Sequence, residues 1–208
     1  MLVITPIINP AFHACSYVIR HPRHNNCLLV DPGNTDLTKI QDQLGGASVP
    51  YTLLTHEHLD HIAGSNALRA RYGSRVVCSA ACRTAMADPR KNMSAYYQPE
   101  RPVCVTADAT WEELGWELDW EGVRVIAMPT PGHSPGGTCI QIEDVLFTGD
   151  TLLGTKKKSP THLPGGDKQQ LNDSIHQIFA RFPPQTTIYP GHGTSFLLAT
   201  VSKASDER

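Results

Sequence analysis

The 208-residue chain carries 18 Lys and Arg against 20 Asp and Glu, a formal charge of −2. A surface so balanced offers no broad positive field for a phosphate backbone, so no nucleic-acid partner is expected. The length suits one domain over residues 1–208, and the opening MLVITPIINPAFHAC has no basic region and is broken by Pro6 and Pro10, which points to a cytoplasmic protein without an export signal or membrane span.

In chain order, CSYVIRH and NNCLLVD are apolar, β-branched runs joined by the polar PRHNN, and together they read as a hairpin. DPGN at 31–34 breaks the sheet, DLTKIQDQLGG reads as a short helix with a glycine stop, and PYTLLT reads as a buried strand. IAGSNALRARYG has helical spacing at Ile62, Leu68 and Tyr72; SRVVCS reads as a strand and AACRTAMAD as a helix. The polar, proline-bounded stretch from Pro89 to Pro102 reads as a surface excursion of no evident role. WELDWEGVRVIAMPT then predicts a hairpin turning at Glu121 and Gly122, and TCIQIEDVLFTGD another. DKQQLNDSIHQIFARF places Leu171, Ile175, Ile178, Phe179 and Phe182 on one helical face, with Asp167 as N-cap and Gln170 three residues on. TTIYPGHG closes the pattern as a strand and a tight loop, so the chain reads as sheets with helices outside them.

Cys15, Cys27, Cys78, Cys82, Cys104 and Cys139 lack the paired spacing of zinc knuckles, so reduced, mostly buried thiols are expected. Cys78 and Cys82 lie four apart and would share a face if both lay on one helix.

The chemistry concentrates in LLTHEHLDHIAG, at 53–64. His56 and Glu57 begin the metalloprotease helix signature His-Glu-x-x-His, but Asp60 replaces its second histidine. In extended backbone, residues two apart point the same way, so His56 and His58 can offer imidazoles to one ion. Asp60 and His61 then fall on the first helical turn, where they can face a second ion. Glu57 would face away from both. Distant loops must complete the two spheres, and PTPGHSPGG, FTGDT and YPGHG each supply one candidate: His133, Asp150 and His192. All of these follow apolar runs, at the strand ends where α/β folds place ligands. His13, His21, His24, His162 and His176 read as surface or hairpin residues, with His13 and His162 the ones that could still line a cleft.

THEHLDH, TPGHSPGG, FTGDT and YPGHG, in that order and spanning nearly the whole chain, resemble the four metal motifs of the metallo-β-lactamase-fold hydrolases; VDPGN at 30–34 resembles an early turn of the same superfamily. The resemblance implies an αββα sandwich of two mixed β-sheets with outer helices. It assigns His56, His58 and His133 to one metal, Asp60, His61 and His192 to the other, and Asp150 between them. It implies two divalent ions per chain, zinc first, with iron or manganese also compatible with His and carboxylate donors. Two such ions share a water, lower its pKa and deliver hydroxide to a carbonyl, while Asp60 orients it.

Asp150 stands where the β-lactamases would carry a cysteine ligand, so antibiotic hydrolysis is not expected, and there is no insertion of the kind that nuclease members use to hold RNA or DNA. The closest resemblance is to compact glyoxalase II-like proteins, which hydrolyse S-hydroxyacyl-glutathione thioesters, because LPGGDKQQLNDSI is similar to their Pro-Gly-Gly-Asp segment. Where they carry Gly-Arg-Thr-Asp before it, this chain has Pro160 and His162 in place of the Arg and Asp. Lys156, Lys157 and Lys158 precede it; such a run is ordinarily a solvated face, but one of them, or His162, could hold a small-molecule thioester's carboxylate. A mononuclear iron persulfide dioxygenase and a lactone or ester hydrolase are the alternatives in the same fold, and a metal-binding protein without catalysis ranks last.

Overall fold

Alternating burial along the strands sorts the chain into layers. The computed structural model describes residues 2–10, 12–34, 36–154 and 158–201. One six-stranded sheet runs β1 (Val3–Ile8), β2 (Cys15–Arg20), β3 (Asn26–Val30), β4 (Ser48–Leu53), β5 (Arg75–Cys78), β6 (Ala109–Thr110), antiparallel at first and parallel from β3 onward. The second has β7 (Glu117–Trp120), β8 (Val123–Pro129), β9 (Thr138–Ile142), β10 (Val145–Gly149), β11 (Thr187–Pro190) and β12 (Phe196–Leu197) side by side, with only the β10–β11 pair parallel.

Period-two alternation decides which side chain enters which layer. Tyr17, Ile19, Leu28 and Val30 of the first sheet meet Val125, Ile140, Ile142 and Phe147 of the second, with Trp111 and Trp120 between. Their alternates Val18, Cys27 and Leu29 face outward onto Ile40 and Leu44 of α1 (Thr38–Leu44) and Leu68 of α3 (Ser65–Tyr72). Cys139, Leu146 and Ile188 likewise pack on Leu171, Ile175 and Ile178 of α6 (Lys168–Arg181). Each such aliphatic side chain contributes about 1.5–3 kcal/mol on burial. The result is the expected αββα sandwich. Among the described residues, no helix is long and apolar enough to cross a membrane.

The expected hairpins form, and Asp167 caps α6 by accepting from Gln170 N at 3.0 Å while the Gln170 amide returns a bond to Asp167. Three readings need correction. IAGSNALRARYG is not one helix: α2 (Leu59–Ile62) and α3 are separated at Ala63 and Gly64, where a Cβ on Gly64 would meet the Asn34 carbonyl oxygen at 2.4 Å. An additional strand, β1, precedes the first expected hairpin; Pro6 is tolerated there because β1 is an edge strand. Cys78 ends β5 and Cys82 lies on α4 (Ala80–Met86), so the two do not share one helix. All six cysteines are free, and all but Cys104 are buried.

Candidate metal centre

Strands β3 and β4 of one sheet and β8, β10 and β11 of the other end at the same rim of the sandwich. Their C-terminal loops bring Asp31, His56 to His61, His133, Asp150 and His192 together. The loops are tied across the sheets: the Tyr17 hydroxyl donates to the Pro190 carbonyl at 2.5 Å, Cys15 N to the Gly191 carbonyl at 2.7 Å, and Thr138 N to the Thr55 carbonyl at 2.8 Å. Gly191 allows the last loop to lie flush, since a Cβ there would meet Asp150 Oδ1 at 2.1 Å and His61 Cε1 at 2.8 Å.

Three overlapping groups of donors result; one, Asp31 with His56 and His61, contains the Asp31 carboxylate that is bonded to Thr55 and His61, and the other two face the cleft. His56, His58 and His133 have ligand atoms all within 4.8 Å of one another, and so do Asp60, His61 and His192. Asp150 lies between them: its Oδ2 is 3.7 Å from His133 Nε2 and 3.4 Å from His192 Nε2, and its Oδ1 is 3.7 Å from His61 Nε2. Asp60 Oδ2 is 3.4 Å from His192 Nε2.

The partners behind the rings turn their lone pairs inward. His133 Nδ1 donates to the Pro160 carbonyl at 2.8 Å. Thr55 Oγ1 has given its proton to Asp31 Oδ2 at 2.5 Å, so it accepts from His56 Nδ1 at 3.1 Å. His61 Nδ1 donates to Asp31 Oδ2 at 2.9 Å. In a neutral ring with Nδ1 so engaged, the lone pair is on Nε2. Among the described residues, His56 Nε2, His61 Nε2 and Asp150 Oδ1 are buried without a hydrogen-bond partner, while His58 turns Nδ1 to the cluster. His133 Nε2 and His58 Nδ1 are 3.0 Å apart, which requires a proton or a cation between them. Buried polar atoms left unsatisfied are costly, so a convergent set of them fits divalent metal ions.

Charge separates the groups. Burial, then the neighbouring imidazoles, depresses His56 well below its ordinary value; burial and His133 take His58 down to about 3, and burial also lowers His133. Burial pushes His61 down too, but Asp60 and Asp31 outweigh it and raise it to about 9. Asp150 and Asp60 likewise overcome burial at His192 and raise it to about 10. Burial opposes ionisation of Asp60 and Asp150, yet the cationic histidines hold both carboxyls below the ordinary range.

Glu57 does face away. It is buried, accepting from Ser134 Oγ at 3.1 Å and more weakly from Gly136 N at 3.4 Å, and burial raises its pKa. Lys156 and Lys157 lie outside the described residues. Lys158 and Pro160 line the cleft above the donors, whereas His162 and His13 are exposed and line no part of it. The cleft encloses about 400 Å³. Sequence reasoning missed Asp31 as the partner of His61, and it missed the apolar walls from Phe12, Met93, Tyr97, Leu153 and Leu163. VDPGN gave a signal for the first; for Met93 and Tyr97, the stretch read as a surface excursion is the wall itself.

The family model of the Metallo-beta-lactamase superfamily matches residues 10–192. The Probable polyketide biosynthesis zinc-dependent hydrolase BaeB of Bacillus velezensis is 30% identical over 178 residues, 85% of this chain and 71% of that protein. A hydroxyacylglutathione hydrolase of Aeromonas salmonicida is 29% identical over 191 residues, 90% of this chain but 65% of that enzyme, so the chain spans about two thirds of its length. Among solved structures, the BLEG-1 B3 metallo-beta-lactamase superposes with a TM-score of 0.86 at 28% identity, over 95% of both chains.

Proposed function

The chain belongs to the metallo-beta-lactamase superfamily, and from that premise we propose that it is a dinuclear, metal-dependent hydrolase of small-molecule thioesters, of which S-hydroxyacyl-glutathiones are the first to test. The observation that carries this reading is the convergence of unpartnered buried donor atoms on one cleft floor, with Asp150 between the two groups. A hydroxyacylglutathione hydrolase among the relatives supports the thioester.

His56, His58 and His133 would hold one ion, Asp60, His61 and His192 the other, and Asp150 would touch both; zinc is the metal we propose, within what His and carboxylate donors accept. Bound there, such ions supply a water of lowered pKa and an electrophile for a carbonyl oxygen. The chain's own residues do the positioning. The Pro160 carbonyl and Asp31 hold the His133 and His61 rings, and Asp60, kept ionised beside His61 and His192, can accept a hydrogen bond from the attacking water and aim it. A substrate seated against the apolar walls would displace water from the site, which would strengthen each of these interactions.

The test is metal per chain in the purified protein, followed by hydrolysis of lactoylglutathione, a lactone and a chromogenic cephalosporin; the last is included because the BLEG-1 likeness runs along the whole chain. Two metals per chain with metal-dependent thioester turnover, lost in Asp60→Ala, is the expected result. Cephalosporin turnover without thioester turnover would overturn the substrate class. One iron per chain with oxygen consumption on glutathione persulfide would replace the reaction.

A further inference from the structure

The cleft floor is polar and Lys158 stands on one wall, but much of the remaining lining is apolar. Phe12, from the loop joining β1 to β2, and Tyr97, the last residue of α5 (Ser94–Tyr97), meet edge to face across the cleft mouth, with ring centroids 4.7 Å apart and an interplanar angle of 72°. Each ring remains about half exposed, Phe12 at 43% and Tyr97 at 53%, although large apolar side chains are usually covered.

Both segments hold unusual backbone. Phe12, His13 and Met93 have φ of 60°, 57° and 71°, in the left-handed region that non-glycine residues seldom occupy and that clusters at ligand-handling sites. Met93 is the residue before α5, and its carbonyl accepts from Tyr96 N and Tyr97 N at 3.1 and 3.3 Å, which places Tyr97 one turn further along the same wall. The wall is anchored from behind. Buried Asn92 donates to the Met86 and Val103 carbonyls at 2.8 and 2.7 Å, and its own carbonyl accepts from Leu59 N at 2.9 Å, directly before Asp60. Tyr97 is therefore tied through α5 to the chain beside the donor floor, and Phe12 packs against it. Met93 and Leu163 add apolar surface between mouth and floor.

We infer that the cleft selects thioesters carrying an apolar group beside the scissile carbonyl, an alkyl or aryl acyl chain seated against Phe12, Met93 and Tyr97, in preference to short polar hydroxyacyl groups. The inference rests on the thioester reading for the word thioester, but the apolar subsite stands on the wall alone. Such a group fills surface that water otherwise covers, and each methylene buried there tightens binding.

The test uses two thioethers that cannot be hydrolysed and share one uncharged head, S-methyl- and S-hexyl-N-acetylcysteamine, titrated into the purified protein and followed by ligand-observed NMR. The hexyl probe should bind roughly tenfold more tightly or better, an advantage that partial burial of its five further methylenes supplies. Phe12→Ala/Tyr97→Ala should erase most of that advantage, and Phe12→Leu/Tyr97→Phe should keep it; both positions are half-exposed, and circular dichroism checks the fold. Equal affinities, or an advantage untouched in the alanine pair, overturns the inference. The metal-loaded enzyme adds the acetyl and hexanoyl thioesters of the same head. Equal kcat/KM for the two would sink the subsite while leaving thioester hydrolysis intact. A hexyl preference with neither thioester turned over would sink thioester hydrolysis and leave the subsite standing.

Discussion

The two halves of the donor cluster, three buried histidines in one and buried His61 with the partly buried Asp60 and His192 in the other, hold protons in opposite ways. Around His56, His58 and His133, burial and mutual repulsion decide, and the rings are neutral. Around His61 and His192, burial acts in the same direction but loses to Asp31, Asp60 and Asp150, and the rings are cationic near neutral pH. Burial alone does not set the charge of a histidine; the carboxylates facing it do. One half presents free lone pairs to an incoming ion, and the other must first be deprotonated.

Asp150 is the residue that makes these halves one site, so its removal should have the largest effect. Asp150→Ala should lose metal from both halves, and with it thioester turnover by roughly 10³-fold, the scale of losing a preorganised charge at a reacting centre. Metal analysis of the purified variant checks this. Retention of one full equivalent would assign Asp150 to a single half and break the comparison.

Proton release sharpens the difference next. The folded pKa values of His61 and His192, about 9 and about 10, lie above the ordinary histidine value of about 6.5. In the metal-free protein their stabilising contribution is therefore complete below that ordinary value and fades as pH rises through about 9 and about 10. At pH near 7 both rings carry a proton that a metal must displace. Filling the Asp60 half should release about two protons and filling the three-histidine half none, so the affinity of the former should climb by up to about 10²-fold per pH unit while the latter barely moves. Calorimetry of zinc binding in buffers of different ionisation enthalpy counts the protons, and equal release from both halves would erase the distinction.

Asp31→Asn should act more on one half than on the other, since Asp31 holds the His61 ring directly and reaches His56 only through Thr55. Asn tolerates the left-handed backbone at this position, where φ is 51°, so the substitution tests charge rather than conformation. It weakens the support behind the His61 ring, and loss of such a partner typically costs about 10–100-fold in metal affinity. The Asp60 half should weaken by that much, and the three-histidine half by clearly less, in a competition titration with a chromogenic chelator.

The donors were legible in the sequence because each loop is local: an apolar strand, then Gly, Pro or Asp, then a histidine or carboxylate. His56, His58, Asp60 and His61 could be sorted to two sides from strand and helix periodicity alone. Asp31 could not be paired with His61, since that contact spans 30 positions and has no periodic signature. Phe12 and Tyr97 were hidden for the same reason, coming from the β1–β2 connection and from α5 between β5 and β6, segments far apart in sequence that tertiary folding brings together. In the basic stretch before α6, composition drew attention to Lys158 and His162; Lys158 does line the cleft, whereas His162 does not, and Pro160, through its carbonyl on His133, and Leu163 reach it instead.

The smallest effect concerns the acid between the two halves of the motif. Glu57 lies between His56 and His58 in sequence but on the opposite side of the chain, so Glu57→Gln should leave metal content unchanged in both halves. Its stability effect has a definite sign. Burial, opposed by hydrogen bonds from its own backbone N–H, Ser134 and Gly136, raises the folded pKa above the ordinary glutamate value of about 4.3. The unfolded chain therefore ionises first as pH rises, and stability present below that ordinary value is lost between it and the raised folded value. Glutamine ionises in neither state. Its Oε1 can accept from Gly136 N, and its amide can donate to Ser134 Oγ, whose hydroxyl is free to rotate. The variant should thus match the parent at pH 4 and equal or exceed it by a few degrees in Tm at pH 7, a gain equivalent to about 1 kcal/mol or less. Glu57→Ala, which strands Ser134 and Gly136, should instead cost about 1–3 kcal/mol at both pH values. Loss of metal in Glu57→Gln would place Glu57 against the donors and undo the reading of HEHLDH as alternating toward and away from them.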